Sequence, residues 1–77
     1  MMEKLVRILS SINPDVDYAS ASGLVKDRIL TSLELIMLIT EICDQFDIEI
    51  SPELITPENF DSADTILQLI RTIQNGE

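Results

Sequence analysis

Ser32 is the residue of this 77-residue chain whose position best suits covalent chemistry. It stands at the predicted start of a helix, where free backbone amides and the positive end of the helix dipole favour an anion. A serine at such a position is most often a capping residue. It cannot be the nucleophile of a catalytic triad, because the chain contains no histidine to serve as its base. A phosphodiester on its hydroxyl would nevertheless suit this place.

The other reactive side chains do not predict an active site. Histidine, the commonest general base and zinc ligand, is absent, and only two glycines are present, too few for a glycine-rich phosphate loop. Carboxylates are abundant, but acids spread over a solvated face do not form an acid–base pair. Cys43 is expected to be an inert residue at the edge of the core. We therefore expect no catalytic residue and no metal site, and predict that the protein is not an enzyme.

The helix that begins near Ser32 has an unusual outer face. At about 100° per residue, Leu33, Met37 and Asp44 point away from the predicted buried stripe, and Glu41 flanks them. Two large apolar side chains one turn apart and surrounded by acids are typical of a small docking patch. The alternative is ordinary exposure, since single apolar side chains are common on protein surfaces.

Hydrophobic periodicity predicts the helices that must position these residues. The first covers Met2–Ile12 and stops before Pro14, because proline disfavours helical backbone in the residue preceding it. A long connection follows, and its apolar residues predict that it is held against the core. Thr31 and Glu34 have the spacing of a capping box, which predicts a second helix from that point to about Phe46.

The last third of the chain contains two further helix starts. Thr56 before Pro57 predicts a short third helix, and Ser62 offers a new cap almost at once for the final helix. Gly76 is the expected residue after the end of that final helix. The same periodicity predicts an aliphatic core made of Leu5, Ile8, Leu9, Ile12, Leu35, Leu38, Ile39, Ile42, Phe46, Ile50, Phe60, Ile66, Leu69, Ile70 and Ile73.

Composition indicates one small acidic domain over residues 1–77. The formal net charge is −9, and residues 29–70 contain nine acids and no Lys or Arg. Such a field repels phosphate backbones, so nucleic acid is a poor partner, whereas proteins with a basic patch are attracted. A single cysteine excludes an intrachain disulfide, and no apolar run reaches the length of a membrane span. We expect a cytoplasmic monomer with no membrane span.

Two stretches of the sequence are similar to a known family. The first contains an Asp-x-x-Leu-x-Ser-Leu pattern from Asp27 to Leu33 and continues to residues 46–50, and the second covers residues 54–62. Together they make residues 3–75 resemble the acyl and peptidyl carrier proteins. The resemblance implies an all-α, four-helix bundle of the acyl-carrier type, with three main helices and one short third helix.

The resemblance also implies a function. Ser32 matches the serine to which a phosphopantetheinyl transferase attaches 4′-phosphopantetheine from coenzyme A, and the thiol of that arm would hold acyl groups as thioesters. Leu33, Met37, Glu41 and Asp44 lie on the helix that carrier proteins generally present to their partners. The implied partners are the transferase and the acyl-loading and acyl-processing enzymes, with basic docking patches, of fatty acid, lipid or polyketide-type biosynthesis.

The sequence departs from the family at positions close to Ser32. Thr31 stands where the family usually has aspartate, and Arg28 and Ile29 occupy a stretch that usually contains glycine. Thr31 can still cap the helix, so these departures favour a specialised stand-alone carrier. Two alternatives stay open: a carrier of aminoacyl groups of the peptidyl or D-alanyl type, and an unmodified carrier-like module for protein interaction.

Overall fold

The protein was analysed as a computed structural model that describes residues 2–76. It contains three α-helices, α1 (Met2–Ile12), α2 (Ser32–Phe46) and α3 (Ala63–Gln74), and one 3-10 helix at Pro52–Leu54. Over the described residues there is no strand, which confirms the all-α prediction.

Helices α1 and α2 run antiparallel, as contacts at both of their ends show. Lys4 in the first turn of α1 donates from Nζ to the carbonyl of Gln45, 2.6 Å away near the end of α2, and its ammonium lies 5.0 Å from the ring centre of Phe46. At the opposite end, Ile12 of α1 lines one groove together with Ile36 of α2. Helix α1 also contacts α3, so it is the central element of the fold.

The core is largely the one that periodicity predicts. Leu5 and Leu9 of α1, Leu38 and Ile42 of α2 and Ile66 of α3 are fully buried. Six of the predicted core residues are only partly buried and pack around this centre: Ile12, Leu35, Ile39, Phe46, Ile50 and Ile73. A single thin core is expected for a chain this small, because its surface is large relative to its volume.

The long connection between α1 and α2 is held against the core, as its apolar residues predict. Tyr18, Leu24 and Leu30 are buried, and the Tyr18 hydroxyl donates to the carbonyls of Leu9 and Asn13 at 3.1 and 2.7 Å. The amide of Leu24 also donates to the Asp61 carbonyl, 2.9 Å away, ahead of α3. These contacts tie the connection to the end of α1 and to the segment ahead of α3.

The segment after Pro57 differs from the predicted short helix. Thr56 does act as a start, because its hydroxyl accepts the amide of Asn59 at 3.2 Å, but residues 57–60 form turns rather than a helix. Ser62 begins α3 with a capping box of its own, so too few residues remain for a second helical turn. The only short helix in the described chain is the 3-10 turn that precedes this segment.

Candidate functional site

Ser32 is the first residue of α2, and its side chain is exposed. The cap of this helix is Thr31, whose hydroxyl accepts the amide of Glu34 at 3.1 Å, while the Glu34 carboxylate accepts the amide of Thr31 at 2.9 Å. The usual structural role of a serine at a helix start is therefore filled by its neighbour. This arrangement leaves the Ser32 hydroxyl at the surface and available for modification.

The start of α2 also suits an anion. The capping box satisfies the amide of Glu34, and the amide of Leu35 donates to the Thr31 carbonyl at 2.9 Å. The amides of Ser32 and Leu33 have no acceptor within the helix, because no helical residue lies four positions before them. They point outwards at the N-terminal end of α2. A phosphodiester on Ser32 would sit at the positive end of the helix dipole, where such groups are stabilised.

A surface pocket of about 490 Å³ adjoins Ser32. It is lined by Val25, Arg28, Leu30, Thr31, Ser32 and Leu35. The pocket is mixed in character, since three aliphatic side chains meet two hydroxyls and one guanidinium. Arg28 has a left-handed backbone conformation, with φ of 58°, which is uncommon for a residue other than glycine. A phosphate on Ser32 followed by a narrow organic arm would fit these residues, since Arg28 offers a cation and the aliphatic side chains offer a wall beside it.

The outer face of α2 is apolar, as predicted. Leu33 is 67% exposed and Met37 is 47% exposed. Ile36, which was not among the residues predicted for this face, is 61% exposed. Ile36 lies three residues after Leu33, so helical spacing alone could have placed it beside the predicted pair. Ile55, after the 3-10 helix, is a further exposed isoleucine at 37%.

The two acids predicted to border this face, Glu41 and Asp44, are both exposed on α2. Glu34 is half-buried and holds the capping box, so it is part of the helix start rather than of the outer face. Cys43 is half-buried, at the edge of the core where it was predicted to lie. No group of three or more potential metal-ligating side chains occurs within residues 2–76.

The electrostatics of the helix start extend to the connection that precedes it. Burial raises the pKa of the Tyr18 phenol above its usual value of 10.0, and the Glu34 carboxylate raises it further. Tyr18 is therefore a neutral hydrogen-bond donor at any ordinary pH. Its two hydrogen bonds join the connection to the end of α1.

No helix within residues 2–76 is long and apolar enough to cross a membrane. Comparison of the sequence with models of protein families and with curated proteins, and of the fold with solved structures, gave no match. The assignment of function therefore depends on the residues and geometry of the site.

Proposed function

We propose that this protein is an acyl carrier protein that bears 4′-phosphopantetheine on Ser32. The observation that supports this most is the division of roles at the start of α2. Thr31 caps the helix, and Ser32 is left exposed beside a pocket that contains Arg28. A serine freed from capping at a helix start is a suitable place to hold a phosphodiester.

The arm would supply the chemistry, since its terminal thiol holds acyl groups as thioesters. The protein itself would bind and orient the arm and present it, without a catalytic residue of its own. In this proposal the amides of Ser32 and Leu33 and the Arg28 guanidinium would hold the phosphate, because all three are donors with positive character. The aliphatic residues of the pocket, Val25 and Leu35 among them, would contact the first part of the arm.

The proposed partners are a phosphopantetheinyl transferase and acyl-loading and acyl-processing enzymes of fatty acid, lipid or polyketide-type biosynthesis. Leu33 and Met37 would provide apolar contact, while Glu41 and Asp44 would meet basic patches on those enzymes. A carrier has to reach many enzymes briefly, and acidic surface around a small apolar patch speeds such encounters. With this function we propose a single cytoplasmic, monomeric domain in which the 3-10 turn and the turns at residues 57–60 replace the short third helix of the four-helix carrier fold.

Two alternatives to this proposal stay open. Thr31 in place of the family's aspartate favours an unmodified protein-interaction module, in which the exposed face of α2 is the whole functional surface. The pocket beside Ser32 does not distinguish an acyl from an aminoacyl cargo, so a peptidyl or D-alanyl type of carrier is the second alternative.

Intact-mass measurement tests the proposal directly. The protein is incubated with coenzyme A and a broad-specificity phosphopantetheinyl transferase, with Ser32→Ala and the matched exposed variant Ser51→Ala in parallel. We expect one phosphopantetheinyl group on the wild type and on Ser51→Ala, and none on Ser32→Ala with unchanged circular dichroism. Modification of Ser32→Ala would contradict the proposed site. If neither the wild type nor Thr31→Asp were modified, the unmodified interaction module would replace the carrier.

A further inference from the structure

Asparagine occurs at three positions in the chain, and a different kind of residue follows it each time. The three pairs are Asn13–Pro14, Asn59–Phe60 and Asn75–Gly76. The backbone nitrogen of the following residue is a nucleophile that can attack the asparagine side chain. The chemical stability of each asparagine therefore depends on whether that nitrogen carries a hydrogen, on the hydrogen bond it makes, and on the bulk of the residue to which it belongs.

The reaction is a ring closure followed by hydrolysis. The nitrogen of the following residue forms a bond to the asparagine Cγ, and the bond between Cγ and Nδ2 breaks. Nδ2 leaves as ammonia and takes up the proton that the attacking amide loses. Water then opens the cyclic imide at either of its two carbonyls, which yields aspartate or isoaspartate. Water is the only co-reactant, and neither an oxidant nor an enzyme is required.

Asn13 is protected from this reaction. The nitrogen of Pro14 carries no hydrogen, so it cannot close the ring. The Asn13 side chain is also held at both of its polar atoms. Its oxygen accepts the amide of Asp15 at 3.2 Å, and its nitrogen donates to the carbonyl of Ile29 at 3.4 Å. Sequence and structure therefore both keep this asparagine intact.

Asn59 is protected by the fold. Its side-chain nitrogen donates to the Leu54 carbonyl at 2.8 Å. The amide of Phe60, which would have to attack, donates to the Thr56 carbonyl at 3.2 Å. Phe60 is fully buried, so its backbone cannot turn towards the Asn59 side chain without disrupting the packed core. Ring closure at Asn59 therefore requires unfolding.

Asn75 has neither kind of protection. It is the exposed residue that follows α3, and Gly76 after it is exposed as well. The Gly76 amide donates to the Ile73 carbonyl at 3.1 Å, at a helix end, where local opening costs little free energy. Nothing lies within 4 Å of the position that a Cβ of Gly76 would occupy, so the backbone has room to turn. Glycine also has no side chain to hinder the approach of its nitrogen.

We propose that Asn75 is a site of spontaneous deamidation, with the Gly76 nitrogen as the nucleophile and water as the co-reactant. Asn13 and Asn59 stay intact while the protein is folded. The product has one more carboxylate on a protein whose net charge is already −9, and that carboxylate lies at the negative end of the α3 dipole. The inference goes beyond the proposed carrier function, because the reaction requires neither Ser32 nor a prosthetic arm.

Incubation of the full chain in mildly alkaline buffer tests the proposal, since the attacking amide has to lose its hydrogen. Anion-exchange chromatography separates the product by its added charge, and peptide mapping by mass spectrometry locates it. We expect an acidic form that accumulates with time and contains aspartate and isoaspartate at position 75. An acidic form produced at Asn13 or Asn59 in the folded protein would overturn the proposal.

Two exposed positions provide the variants. Gly76→Ala should slow the conversion about tenfold, because an added Cβ restricts the backbone that has to attack. Asn75→Gln should abolish it on the same timescale, because glutamine has to close a larger ring. Neither replacement removes a buried side chain, so both variants should fold. Persistence of the acidic form in Asn75→Gln, or an unchanged rate in Gly76→Ala, would refute the assignment.

The same chain unfolded in guanidinium chloride measures what the fold contributes. We expect Asn75 to convert at a similar rate in the folded and the unfolded protein, and Asn59 to convert only in the unfolded protein. Conversion of Asn75 in the unfolded protein alone would mean that the hydrogen bond to Ile73 protects it, and would overturn the proposal. Because Ser32 takes no part in the reaction, these outcomes are independent of the carrier proposal.

Discussion

Thr31 and Glu34 are joined by two reciprocal hydrogen bonds, of 3.1 and 2.9 Å, that close the start of α2 around the exposed Ser32. Each residue satisfies a backbone amide of the other, so neither amide needs a partner from the Ser32 side chain. These two hydrogen bonds explain how α2 keeps a stable start with Thr31 at the position where the family that the chain resembles usually has aspartate.

Thr31→Ala should lower the free energy of unfolding by about 1 kcal/mol, because it removes the oxygen that accepts the Glu34 amide. Thr31→Ser and Thr31→Asp keep an acceptor at this position and should retain most of the stability. Urea denaturation monitored by circular dichroism measures all three. A Thr31→Ala protein as stable as the wild type would show that the capping box contributes little.

Thr31→Asp should also increase the rate of modification by a broad-specificity transferase, since it restores the residue that the resembled family has before its serine. The fold should not change, because aspartate caps a helix as well as threonine does. Time-resolved intact mass gives the rate. The distant replacement Thr72→Asp, on the exposed side of α3, controls for the added charge. An equal effect of both replacements would assign the change to net charge alone.

Tyr18→Phe should destabilise the protein by about 1–2 kcal/mol at neutral pH, because two carbonyls lose the hydroxyl that donates to them. The raised pKa of Tyr18 also sets a pH dependence. Its folded-state pKa lies above the unfolded value, so its contribution is fully present below about pH 10 and is lost as the pH rises through the folded pKa. The difference in stability between wild type and Tyr18→Phe should therefore shrink at alkaline pH. A constant difference from pH 7 to 11 would contradict this account.

Gly23→Ala should destabilise the fold by about 1–2 kcal/mol or more, because a side chain is disfavoured in a left-handed backbone conformation. Gly23 has φ of 68°, and an added Cβ would collide with the Asp27 carboxylate. Gly76 has a similar φ of 77° but nothing within 4 Å, and it lies beyond the end of α3. Gly76→Ala is therefore the matched control, because it shares the left-handed strain but not the collision, and it should cost less in thermal denaturation. Equal losses of stability in Gly23→Ala and Gly76→Ala would mean that the Asp27 side chain moves away from the added Cβ at no cost.

Added salt should raise the melting temperature, because the acids of residues 29–70 have no basic residue among them. The Debye length falls to about 10 Å at 0.1 M salt, which screens repulsion between exposed carboxylates. A gain of about 1 kcal/mol in the free energy of unfolding corresponds to a rise of about 4–8 °C in the melting temperature of a domain of this size. Glu58→Lys, in an exposed turn, should raise the melting temperature in low salt and reduce its salt dependence. A melting temperature that does not change with salt would show that self-repulsion is minor.

Local signals allowed much of the site to be predicted from the sequence. The spacing of Thr31 and Glu34 predicted the capping box, and helical geometry predicted that Leu33 and Met37 face outwards. Both depend on residues within one or two turns of each other, and such short-range interactions act in the same way in any fold. The role of Ser32 as a carrier residue stays a prediction that modification by a transferase can test.

Other features depended on contacts between distant parts of the chain. The sequence alone determined three amphipathic helices, a capped start for α2 and an acidic surface, because periodicity, capping and charge are local properties. Only the tertiary structure decided that the Tyr18 hydroxyl anchors the connection to the end of α1, that the segment after Pro57 forms turns, and that Ile12 meets Ile36 across a groove. These outcomes depend on how antiparallel helices and a long connection compete for the same small apolar volume, which periodicity along a single segment does not encode.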